Sequence, residues 1–92
     1  MKTGQQFNSV WDAIEDDPIR AENLKMRSAL LRAISEALTR RDLTQKQAAQ
    51  ILAISQPRVS RLLGGDIESF RLDSLVNFAH RLGLHITLEV AA

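Results

Sequence analysis

Residues 43–65 read LTQKQAAQILAISQPRVSRLLGG, a run that divides into two short helices. Thr44 and Gln47 have the spacing of a capping box, in which each side chain satisfies a free backbone N–H of the other. A helix therefore starts at Thr44. Ala48, Ile51 and Leu52 form its apolar face, with Ala49 beside it, and it ends near Leu52. Ser55 is placed to cap a second helix, Gln56 to Leu63, whose first turn holds Pro57, where a missing N–H does no harm. Gly64-Gly65 ends that helix.

Two short helices joined by a tight turn make a helix-turn-helix. Ala48 is small enough for the second helix to cross closely, Ile54 fills the space under the turn, and Val59 and Leu62 face the core. At about 100° per residue, Pro57, Ser60 and Arg61 fall on the opposite side, with Gln56 and Arg58 flanking it near the helix N-terminus. In this motif the N-terminal residues of the second helix enter the DNA major groove. Gln56 suits adenine N6/N7, Arg58 or Arg61 suits guanine O6/N7, and Pro57 suits a thymine methyl, with Ser60 on the same free side. Thr44, Gln45, Lys46 and Ser55 lie at the two helix starts, where phosphates are met. The same residues also suit an ordinary solvated face of a small helical bundle.

Outside this run the periodicity stays helical until near the end. Phe7, Val10, Trp11 and Ile14 share one face of a short helix, capped by Asn8 or Ser9 and stopped near Asp16 by Pro18. Asp17 is placed to cap a long helix from Pro18 to about Arg41. Leu24, Leu31, Ile34 and Leu38 form one stripe on it, and Met26, Leu30, Ala33 and Ala37 an adjacent one. So wide an apolar arc predicts two partners, the domain core and the N-terminal helix through Trp11. Leu72, Leu75, Val76, Ala79 and Leu82 mark a last helix, with Phe78 beside the stripe and Gly83 at its end. Leu84, Ile86, Leu88 and Val90 then alternate with His85, Thr87 and Glu89, the pattern of a half-buried strand. A single strand leaves its ladder unpaired, and the simplest partner is the same strand of a second copy across a two-fold axis. The expected organisation is an N-terminal segment (1–17), a helix-turn-helix domain (18–83) and a dimerisation strand (84–92), in a mainly α, compact helical bundle.

Composition narrows the function. The chain has 92 residues, enough for one domain, and its 45% hydrophobic content supports a core. It has no cysteine, hence no disulfide framework or thiolate site, and aromatic residues are only 4%, too few for a stacking platform for single-stranded nucleic acid. Arg32 and Gln50 interrupt the most apolar stretches, and the start MKTGQQFNSV lacks the apolar core of a secretory signal. A cytoplasmic protein without a membrane role is expected. No catalysis, metal or cofactor is expected either. His80 and His85 lie on different elements, and the adjacent carboxylates of Glu15-Asp16-Asp17 point in different directions.

The formal net charge is +1, but it is unevenly spread. Residues 21–65 carry Lys25, Arg27, Arg32, Arg40, Arg41, Lys46, Arg58 and Arg61 against Glu22, Glu36 and Asp42, while both ends are acidic. That distribution suits a basic face for a polyanion, or solvated helix faces that happen to cluster.

From Arg32 to Leu84 the chain resembles the lambda-repressor/Cro-like (XRE) helix-turn-helix regulators, on Leu43-Thr44-Gln45, Ala48-Ala49, Ile51-Leu52-Ala53-Ile54-Ser55, Val59-Ser60 and Leu62. The wider layout of Phe7, Ser9-Val10-Trp11-Asp12-Ala13-Ile14, Ala21-Glu22-Asn23-Leu24-Lys25, Gln56-Pro57-Arg58-Val59-Ser60 and Leu72-Asp73-Ser74-Leu75 is similar to a subgroup related to HigA-type antitoxins. The resemblance implies a homodimer that binds double-stranded DNA and represses its own operon, and a partner toxin, a small basic ribonuclease of the RelE-like superfamily. Phe7, Val10 and Trp11, with the acidic Asp12–Asp17, suit such a partner, or Trp11 simply packs on the long helix. A stand-alone repressor and a helical protein-interaction module are the alternatives. The chain departs from the family at two points. It has Ala53 where the turn normally carries glycine, at a cost of about 1 kcal/mol if the backbone there is left-handed. It also has a strand pattern after Gly83 where another helix is usual.

Overall fold

In the computed structural model, residues 16–92 are described. The short helix expected around Phe7, Val10, Trp11 and Ile14 lies outside the described residues. The helices are α1 (Pro18–Arg40), α2 (Gln45–Leu52), α3 (Gln56–Leu63) and α4 (Leu72–Arg81), with one 3-10 turn, Ile67–Ser69, between α3 and α4.

Their ends follow the local chemistry. Asp17 Oδ1 accepts the Ile19 N–H at 3.0 Å, and Pro18 opens α1 where no N–H is needed. At α2 both halves of the capping box form: the Gln47 N–H donates to Thr44 Oγ1 at 3.1 Å, and the Thr44 N–H donates to Gln47 Oε1 at 2.9 Å. Ser55 Oγ accepts the Arg58 N–H at 3.3 Å and opens α3. After α2 the chain turns at Ala53, whose φ of 59° and ψ of 43° are left-handed, and the Ile54 N–H reaches back to the Ala49 carbonyl at 3.1 Å. Alanine thus takes the conformation for which this turn normally uses glycine. Asp42, at φ 53°, makes the corresponding exit from α1.

One core joins the four helices. It contains Ile34, Ala37 and Leu38 of α1, Ala48, Ala49 and Leu52 of α2, Val59 and Leu62 of α3, and Leu75, Phe78 and Ala79 of α4, with Leu82 after it. Phe70 sits among them, fully buried, although it belongs to the connection between α3 and α4. Its ring meets Phe78 edge-on, 6.1 Å between centroids. Burying a side chain of this size contributes roughly 1.5–3 kcal/mol, so Phe70 ties the connection to the core as firmly as a helical residue would. Ile54 is half-buried under the turn, as its place in the sequence predicts. Leu63 falls on the core side of the α3 wheel but is exposed, at the last residue of the helix.

The second stripe of α1 fares differently from the first. Leu30 is half-buried, whereas Met26 and Ala33 are exposed. Residues 84–89 run past them, and the two segments line a shared groove of about 470 Å³. Among the described residues there is no β-strand. Residues 84–92, expected as a dimerisation strand, have no ladder among the described residues, because no other described segment offers an extended edge to pair with. No helix among the described residues is long and apolar enough to cross a membrane.

Candidate nucleic-acid interface

The candidate interface is built on α3. Val59 and Leu62 are fully buried and anchor one side of this eight-residue helix to the core. That anchorage directs the other side outward: Gln56, Pro57, Ser60 and Arg61 are all exposed. None of their side chains has a hydrogen-bond or ion-pair partner among the described residues.

Arg58 is placed differently from the rest of the expected base-reading set. It is half-buried, its guanidinium lies 4.4 Å from the centroid of the Phe70 ring, and Nη1 donates to the Ser69 carbonyl at 3.3 Å. The cation sits over the negative face of the ring and closes one of the loop's carbonyls. Arg58 therefore pins the α3–α4 connection to the start of α3.

The residues expected to meet phosphates gather at the helix starts. Thr44 and Ser55 use a side-chain lone pair for capping and keep a hydroxyl proton to donate. Gln45 and Lys46 are exposed in the first turn of α2. Their backbone N–H groups have no carbonyl partner among the described residues and carry the positive end of the helix dipole.

The cations of residues 21–65 differ in what they are bonded to. Three of its arginines donate to backbone carbonyls: Arg27 to Phe70 at 3.4 Å, Arg58 to Ser69, and Arg41 to Leu82. Lys25 pairs with Glu22 at 3.6 Å and Arg32 with Glu36 at 3.7 Å. Arg40, Lys46 and Arg61 have no ion pair or side-chain hydrogen bond among the described residues. Sequence reading missed the pinning roles of Arg27 and Arg41, and it missed Phe70 altogether. The only signal for Phe70 was an aromatic residue inside a polar connection.

No group of three or more His, Asp or Glu among the described residues is arranged to hold a metal ion, and His80 and His85 are both exposed. Of the expected dimer contacts, Leu84 is half-buried while Ile86, Leu88 and Val90 are exposed.

A family model described as a helix-turn-helix domain matches residues 13–91. The chain belongs to this helix-turn-helix domain family. Membership marks a DNA-binding regulator, of a kind that is typically not an enzyme. The match extends beyond the two helices that give the family its name and takes in α1, α4 and the C-terminal segment. No curated protein matches the sequence.

Proposed function

We propose that this helix-turn-helix domain is a sequence-specific transcriptional repressor that binds a palindromic operator as a homodimer, with α3 in the major groove. One observation carries the reading. A helix whose buried side is locked by Val59 and Leu62 presents Gln56, Pro57, Ser60 and Arg61 to solvent with no partner of their own. Such unsatisfied, pre-positioned groups are what base edges require. Arg61 pairs with a guanine and Gln56 with an adenine. Pro57 meets a thymine methyl, and Ser60 donates to a neighbouring base. Arg58 holds the loop beneath them rather than reading a base. Thr44, Gln45, Lys46 and Ser55 contact phosphates, aided by the free N–H groups of α2. Two copies place their α3 helices about 34 Å apart, one turn of DNA.

The test is binding of the purified protein to the DNA upstream of its own gene, followed by fluorescence anisotropy. Removing a bidentate arginine–guanine contact costs about 1–3 kcal/mol, so Arg61→Ala should weaken binding by about five- to 150-fold. A variant that binds as well as the parent refutes the groove assignment.

A second role as an antitoxin is favoured by the start of α1. There Ile19 is exposed and shares an open groove with Pro18, Glu22 and Asn23, an apolar and acidic surface suited to a basic protein such as a RelE-like ribonuclease. Phe7, Val10 and Trp11 precede this surface in the chain. Co-expression with a small basic protein encoded next to the gene tests the role. A stable complex lost on Ile19→Glu supports it, and separate elution refutes it.

A further inference from the structure

We propose that residues 84–90 pair with the same residues of a second copy as an antiparallel ribbon whose two-fold axis passes through Thr87. The proposal rests on the dimeric reading above and gives it an interface and a register.

Three observations support it. First, apart from the Leu84 N–H, which reaches the Ala79 carbonyl at 2.9 Å, the backbone of this segment has no hydrogen-bond partner among the described residues. Second, its apolar side is unfinished: Ile86, Leu88 and Val90 are 47%, 74% and 85% exposed, beside an α1 stripe with Met26, Ala29 and Ala33 also open. Third, the segment is complementary to itself in one register. About an axis at Thr87, Leu84 faces the second copy's Val90, Ile86 faces its Leu88, His85 faces its Glu89, and Thr87 faces Thr87. Apolar and Thr–Thr pairs are among those that stabilise adjacent strands, and His85 and Glu89 have the donor and acceptor groups to share a hydrogen bond. Centring the axis on Ile86 or Leu88 removes the His85–Glu89 pairing. Centring it between residues sets apolar side chains opposite polar ones.

The packing is consistent with this arrangement. A two-stranded ribbon alone is marginal in water and needs an apolar surface beneath it. In the ribbon all four apolar residues of each strand share one face, and Leu84, Ile86 and Leu88 already line a groove with Met26, Ala29, Leu30 and Ala33 of α1. His85, Thr87 and Glu89, which are exposed and border the same groove in the single chain, take the opposite face of the ribbon.

The absence of native cysteine allows a direct test in the full chain. Directly opposed residues of an antiparallel pair have Cα atoms about 4.5–5.5 Å apart, within the range a disulfide spans. Thr87→Cys should link to itself under mild oxidation and run as a dimer without reductant. Val90→Cys alone should stay unlinked, and a mixture of Val90→Cys with Leu84→Cys should link. A parent of twice 10.3 kDa by light scattering whose Thr87→Cys form fails to link overturns the ribbon but leaves the dimer standing. Self-linking by Ile86→Cys or Leu88→Cys in preference to Thr87→Cys overturns the register. A monomeric parent overturns both the ribbon and the dimer.

Discussion

Replacing Ala53 by glycine should stabilise the domain, although glycine usually weakens a folded chain. Ala53 lies between the two helices of the motif with φ 59° and ψ 43°, where a Cβ crowds the following carbonyl at a cost of about 1–2 kcal/mol. Glycine removes that cost but gains freedom in the unfolded chain, which returns about 0.4–1 kcal/mol. Ala53 is exposed, so its methyl group contributes little burial to lose. The net gain is about 0.5–1 kcal/mol, or roughly 2–8 °C in Tm for a domain of this size. The proper control is Gln50→Gly, at an exposed helical position of α2 in the same motif, where glycine costs about 0.5–1 kcal/mol. Urea denaturation followed by circular dichroism should move the two midpoints in opposite directions at constant slope. If Ala53→Gly lowers the midpoint as Gln50→Gly does, the left-handed turn is not strained, and the reasoning from its backbone fails. The gain should leave operator affinity unchanged, since the turn keeps its shape.

Three further outcomes are expected. Arg58→Ala removes a cation–π contact and a hydrogen bond to Ser69 and should cost about 1–2 kcal/mol in urea denaturation, with base preference at every operator position retained. A changed preference at one position would return Arg58 to the base-reading set. Lys46→Gln should weaken binding to all sequences alike and lower the slope of log K against log salt by about one, measured by anisotropy across a salt series. Phe70→Ala empties the centre of the core and should cost about 3–5 kcal/mol, visible as a large fall in Tm, although Phe70 lies in a connection rather than a helix.

Much of this fold was legible because its signals are local. Thr44 with Gln47, Ser55 with Pro57, and Asp17 with Pro18 each act within one helical turn, so their spacing along the chain is their spacing in space. The same holds for α3, where burial of Val59 and Leu62 follows from helical period and leaves Pro57, Ser60 and Arg61 outside. Phe70 was hidden because its neighbours belong to other elements and its own connection has no period. Charge was only partly legible for a related reason. Counting along residues 21–65 cannot distinguish an arginine without a partner from one donating to a carbonyl 41 or 43 positions away, as Arg41 and Arg27 do.

From residues alone came the motif, its caps, the inward side of α3 and the departure at Ala53, all properties of neighbouring positions. Tertiary packing settled the rest. It turned Arg58 onto Phe70, made that ring a centre of the core, and laid residues 84–89 beside the open stripe of α1. Those outcomes depend on which distant groups meet once the helices are folded together, and no spacing along the chain encodes such a meeting.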